Sequence, residues 1–180
     1  MKSEFSCILA LLLLACSNFQ PAKAGASFQA GLAQAADPDW WSTFHHDLNR
    51  TGTSTSLAPT TNNTLWNYTT GNAVLSSPAV VDGLVYVGSG NLSPPYNGNV
   101  YCLNASTGAF VWSYPAGVWA SSPAIAGGLV YVGCINGYFY CLNATTGAFV
   151  WSYTAGVWWW GSSPAVAGGF VYVACDSGYV

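Results

Sequence analysis

Cys141-Leu-Asn-Ala-Thr-Thr-Gly-Ala-Phe-Val-Trp151 has an earlier twin in this chain, Cys102-Leu-Asn-Ala-Ser-Thr-Gly-Ala-Phe-Val-Trp112, which differs by one Ser for Thr. Each copy follows a Tyr and runs on into Ser-Tyr. Recurrence at a set spacing is the mark of a repeat architecture, so the unit around these copies decides the fold. Upstream of them stand SSPAVVDGLVYVG from Ser76 and SSPAIAGGLVYVG from Ser121, and a third copy, SSPAVAGGFVYVA, starts at Ser162. Asp82-Gly83, Gly127-Gly128 and Gly168-Gly169 are dipeptides that supply positive φ for two-residue primed hairpin turns. The runs that follow are β-branched and aromatic, as strands require. Asn136-Gly137 then turns the chain into a third strand, and Asn143-Ala-Thr-Thr-Gly147 turns it into a fourth. The unit is four antiparallel strands, A to D. Strand B is expected to begin near Leu84, Leu129 and Phe170, and strand D to end near Tyr114 and Tyr153.

The spacing is 45 residues from Ser76 to Ser121 and 41 from Ser121 to Ser162. Six extra residues around NLSPPY in the first B–C connection and two in VWWWG, against VWA, account for the difference. They leave a common core of 39 residues. Four short strands per ~40-residue repeat define a β-propeller blade. No helical period occurs in the mature chain. The fold class is therefore all-β, an incomplete β-propeller of four-stranded antiparallel blades over residues 65–180. Trp66-Asn-Tyr68 aligns with Trp112-Ser-Tyr114, making residues 65–70 a lone D strand. Two full blades follow, and Gly178-Tyr-Val180 aligns with the start of a third blade's strand C. One lone strand, two blades and half of a third read as a truncated reading frame or fragment of a ring.

These residues resemble the pyrroloquinoline-quinone (PQQ)-type propeller repeats, whose docking motif is A-x-D-x-x-T-G-x-x-x-W. It stands here at 102–112 and 141–151 with Cys for Ala and Asn for Asp, and DWWSTFHHDLNRTG at 39–52 looks like the opening of many such propellers. The resemblance implies a structural role for Thr107, Gly108, Trp112, Thr146, Gly147 and Trp151, with each Trp packing on the neighbouring blade's Thr-Gly segment.

Charged residues are 5% of the 180-residue chain and aromatics 16%. Beyond Arg50 there is no Lys or Arg, and the acids are Asp82 and Asp176 alone. Phosphate backbones are bound by clustered basic residues, so no nucleic acid is expected as a partner. Residues 1–24 read as a signal peptide: Lys2, an apolar run from Ile8 to Ala15, and Ala22-Lys-Ala24 as the cleavage site. Leu13-Leu-Ala-Cys16 offers a second reading, a lipobox with a lipid anchor at Cys16. Both place the protein outside the cytoplasm, secreted or at the cell surface. The apolar run falls short of the ~20 residues of a membrane span, so no transmembrane helix is expected. Residues 25–64 are a linker and the family-like opening segment.

His45-His46-Asp47 lacks a third His or Cys nearby, and adjacent strand residues point apart, so no metal site is assigned. Cys102, Cys134, Cys141 and Cys175 raise disulfides in a secreted chain. An Asn136-Gly137 hairpin pairing Cys134 with Phe139 sets Cys134 and Cys141 diagonally on one face, ~7–8 Å apart. That exceeds the ~4.4–6.8 Å of a disulfide, so the four cysteines are expected to be unpaired, small buried residues. Sequons stand at Asn49, Asn62, Asn67, Asn91, Asn104 and Asn143.

In a blade the B–C and D–A connections share one face and the A–B and C–D turns the other. Both length changes fall on the first, where binding tends to reside. Tyr96, Trp119, Trp158, Trp159 and Trp160 are thus the candidate ligand or partner face, for a protein or a glycan; the competing reading, that the Trp run plugs the channel or packs between blades, has a slight edge. The expected function is a non-catalytic extracytoplasmic scaffold for binding or assembly, with no cofactor. One alternative is a fragment of a PQQ-dependent dehydrogenase, using PQQ with calcium; another is a carbohydrate-binding surface protein.

Overall fold

The computed structural model describes residues 41–44, 46, 54, 56–57, 59–91, 97–117, 121–134, 136–154 and 162–175. Every element among them is a strand. The first blade comprises β1 (Ala73–Val74), β2 (Ala79–Val81), β3 (Leu84–Gly90), β4 (Gly98–Asn104) and β5 (Phe110–Pro115). The second comprises β6 (Ala124–Ala126), β7 (Leu129–Gly133), β8 (Tyr138–Asn143) and β9 (Phe149–Thr154). Then β10 (Ala165–Ala167) and β11 (Phe170–Tyr172) form the A–B hairpin of a third. All pairings are antiparallel and run in chain order, β6-β7-β8-β9 in the second blade. The inner strands β2, β6 and β10 are neighbours in that order. The molecule is an incomplete propeller.

The turn residues act as their chemistry dictates. Asp82 and Gly83 have φ of 52° and 73°, Gly127 and Gly128 59° and 74°, and Gly168 and Gly169 59° and 82°. Both central residues at positive φ is the two-residue turn whose twist matches a hairpin. The B strands begin at Leu84, Leu129 and Phe170, and the D strands end at Pro115 and Thr154, one residue past the expected ends.

Three features differ from the sequence reading. Strand A of the first blade is split, with β1 and β2 both pairing with β3 on either side of Leu75-Ser-Ser-Pro78. Pro78 has no N–H to give a ladder. Residues 65–70 join no ladder among the described residues, yet Trp66 occupies the D-strand Trp position, its indole N–H donating to the Ala105 carbonyl. The second B–C register is also shifted by one. Gly133 pairs with Phe139 and Tyr131 with Cys141, and Cys134 donates its N–H to the Tyr138 carbonyl at 2.8 Å. Cys134 and Cys141 therefore lie on opposite faces of the sheet, not diagonally on one. Cys102, Cys134 and Cys141 are buried free thiols.

Period-two alternation explains why nearly every strand residue is apolar. One face of the first blade carries Ala79, Tyr86, Val100, Cys102 and Trp112; the second blade meets it with Ile125, Val130, Val132, Cys134 and Leu142, and these form one core cluster. Each blade thus offers an aromatic and small-residue face forward and an aliphatic face back. Both faces of β3 and β4 are largely buried, as in sheets covered on each side, while the outer strands expose Phe110, Val111, Phe149 and Val150.

The outer strands are edges. Cys102 pairs with Trp112 but Leu103 with Phe110, which leaves Val111 as a bulge, and Val150 repeats it. A bulge interrupts the ladder and twists the edge, a substitute here for charged edge residues.

Candidate functional site

The docking motif begins in a loop that holds itself. Asn104 Oδ1 accepts the N–H of Ser106 and of Thr107 and the Thr107 hydroxyl, each at 3.0 Å. Asn143 does the same with Thr145 and Thr146. An amide oxygen serves these contacts as a carboxylate would, which is why Asn can stand where the family has Asp. Gly108 and Gly147 both sit at φ 70°, and their bare backbone lets an indole close on them. A Cβ at Gly147 would lie 2.6 Å from the Trp112 ring, and one at Gly108 2.7 Å from Trp66. The Trp112 indole N–H donates to the Ala144 carbonyl at 2.9 Å, and that of Trp66 to Ala105 at 2.8 Å. Trp151 is half-buried between Tyr131 and Phe139. The ring stack is therefore structural, and it occupies the aromatic faces within the seam.

The Ser-Ser-Pro copies have a role that sequence reading missed. Ser76, Ser121 and Ser162 each accept, at the hydroxyl, the N–H of the residue twelve positions on: Gly88, Gly133 and Ala174. This ties the entry to strand A onto the far end of strand B. The signal was present in the constant Ser-to-strand spacing of all three copies.

Ionisable groups in the seam are held neutral. Burial pushes the Cys102 thiol up to about 11, with a bond from Tyr86 pulling slightly the other way. Burial alone pushes Cys141 to about 11, and it raises Cys134, Tyr86 and Tyr131 as well. Such groups are poor nucleophiles and poor ligands. Asp82 stands in an A–B turn, and no three His, Cys, Asp or Glu side chains cluster among the described residues.

The B–C and D–A connections do share a face, since Asn136 of the second B–C turn donates to Ala116 in the D–A connection at 3.3 Å. Tyr96, Trp119, Trp158, Trp159 and Trp160, the candidate ligand or partner residues, lie outside the described residues. So do His45 and Asp47, while His46 packs edge-on to Trp41 at 5.0 Å. On that same face, at the first blade, is a groove of about 610 Å³ lined by residues 68–74 and Asn91.

Comparison with known proteins agrees with this architecture. Residues 96–180 match the family described as outer membrane protein assembly factor BamB, a PQQ-type repeat. A quinohemoprotein alcohol dehydrogenase from Pseudomonas putida HK5 superposes with a TM-score of 0.61 at 22% identity, over 78% of this chain and 23% of that one. The quinohemoprotein alcohol dehydrogenase from Comamonas testosteroni gives 0.59 at 27% identity, over 77% and 23%. A europium-containing methanol dehydrogenase gives 0.58 at 21%, over 78% and 28%. The chain thus spans about a quarter of these enzymes. No curated protein matches it. Residues 96–180 thus match a PQQ-type propeller repeat, and the described strands have the fold of part of such a propeller.

No helix among the described residues is long and apolar enough to cross a membrane. PQQ with calcium does not fit the described side chains. Calcium takes about 6–8 oxygen ligands with carboxylates among them, and Asp82 stands alone in a turn on the face opposite the variable connections.

Proposed function

We propose that this chain is a non-catalytic extracytoplasmic propeller, a scaffold that binds a protein or glycan through its B–C and D–A connections. The observation that carries this reading is the division of labour between the two faces. The A–B and C–D turns keep a constant length and carry the one described blade carboxylate, Asp82, whereas every length change falls on the other face. Loop variation over a constant frame is how repeat proteins acquire binding surfaces. The match to a family described as an assembly factor supports the same reading, and the signal or lipobox segment supports an extracytoplasmic location, with a lipid anchor at Cys16 under the second of these. No cofactor is needed.

A second reading, a fragment of a PQQ-dependent dehydrogenase, is favoured by the fold likeness to quinohemoprotein alcohol dehydrogenases. Titration with PQQ, with and without Ca²⁺, separates the two. The scaffold reading expects no calcium-dependent, saturable quenching of Trp fluorescence; finding it would establish the enzyme-fragment reading instead.

A further inference from the structure

Asn104 and Asn143 hold loops that dock one blade on the next, and each does so with an amide oxygen that takes bonds a carboxylate could take as well. The loops are built into the seams. Ala144 gives its N–H to the Gly128 carbonyl at 2.9 Å. Its own carbonyl accepts the Trp112 indole at 2.9 Å and the Tyr86 hydroxyl at 3.3 Å. Ala105 bonds in the same way to Gly83, next to Asp82, and to Trp66. A carboxylate accepting several such bonds has its pKa driven down, and the stability it confers is lost once acid protonates it. An amide keeps the same loop and has no proton to gain in that range.

The charge of the blades follows the same pattern. Between Thr51 and Val180 there is no Lys, Arg or His, and the carboxylates are Asp82 and Asp176. Of the elements bonded to the Asn104 loop, the A–B turn carries Asp82, which is exposed. Of those bonded to the Asn143 loop, β3 carries Tyr86, beside Cys102; burial raises both, so they stay neutral throughout acid. Acid unfolds proteins by discharging carboxylates that are bonded in the native state, and by building up positive charges that repel. Residues 51–180 offer neither route, since below about pH 3 they carry almost no charge of either sign. We propose that these blades are built to work in an acidic medium, with docking loops and binding contacts that acid leaves unchanged. This rests on the extracytoplasmic scaffold reading and narrows it to one kind of surroundings. Contacts made by these residues are then neutral hydrogen bonds and apolar surface, Asp82 and Asp176 aside.

Urea unfolding of the full chain, followed by Trp fluorescence from pH 5 to pH 2, tests this in an interval below the ordinary histidine range. The wild-type midpoint should hold within about 0.3 M. Asn143→Asp introduces a carboxylate whose folded pKa lies below the ordinary ~3.9; its contribution is present above that value and lost as pH falls through the folded one. The midpoint of that variant should therefore drop by about 0.5 M or more toward pH 2. Asn104→Asp should drop less, because Asp82 stands in the turn bonded to its loop and opposes a second negative charge. A wild-type midpoint that falls by about 1 M or more, or Asp variants as flat as the wild type, overturns the inference. Should neither variant fold at pH 5, the wild-type profile alone decides. Calcium-dependent PQQ binding would remove the scaffold reading without touching this profile.

Discussion

Trp112 and Trp151 occupy the same position in consecutive blades, each beside a strand-B Tyr of its own sheet, with Phe139 flanking Trp151 where Val100 stands in the first blade. Tyr86 lies 6.0 Å from Trp112 and Tyr131 6.2 Å from Trp151, ring to ring. Trp112 is nonetheless 7% exposed, with its N–H bonded to Ala144, whereas Trp151 is half-buried, with no Thr-Gly loop over it among the described residues. A blade supplies its own aromatic contacts, and the next blade completes the burial. Stability in such an array is a sum of intrinsic blade terms and seam terms, and the seam term is the difference between these two indoles.

Removing each indole measures that term. Trp112→Ala should cost about 3–5 kcal/mol in chemical denaturation, and Trp151→Ala only about 1–2 kcal/mol, since much of its surface is already wet. Equal losses would mean that the seam contributes little beyond the sheet itself. The other side of the seam gives the next largest effect. Gly147→Ala places a methyl against Trp112 in a left-handed backbone and should cost roughly 2–3 kcal/mol. Gly127→Ala has the same sign of φ but open space around it, and should cost only about 1 kcal/mol. The smallest effect comes from the thiols. Cys102 and Cys141 are pushed from 9.0 up to about 11 by burial, so the unfolded chain ionises first. Their contribution is complete below pH 9 and declines between pH 9 and 11, by roughly 1 kcal/mol per thiol at pH 10. The unfolding midpoint of Cys102→Ala should therefore fall less steeply over that interval than that of the wild type. Parallel profiles would show that the thiol is not held neutral in the seam.

Strand starts and primed turns were legible because a turn dipeptide and a β-branched run are both local signals. Register was less so. Asn136-Gly137 marks a reversal but not its length: Gly137 donates back to the Cys134 carbonyl at 3.1 Å, and that larger loop shifts Cys134 by one position and so to the other face. The split in strand A was hidden because Ala73 and Val74 are ordinary residues, and what makes them a strand is the overhanging end of β3. The face to inspect followed from counting connections, while its aromatic residues at 96, 119 and 158–160 lie outside the described residues.

The segment at Trp41–Ser42 gives the chain an order of events. The Trp41 carbonyl accepts the N–H of Val80 at 2.6 Å, and the Ser42 carbonyl that of Ile125 at 2.9 Å. Two adjacent residues thus clasp the innermost strands of two different blades. Val80 and Ile125 are equivalent positions one whole repeat apart, so the clasp cannot close until both hairpins exist. During synthesis residues 41–42 leave the ribosome well before either strand they hold. They are made early and must dock late. An assay that catches the chain between those moments, such as protease access at Trp41 on stalled nascent chains of increasing length, should find protection arriving in two steps, at the emergence of β2–β3 and again at β6–β7.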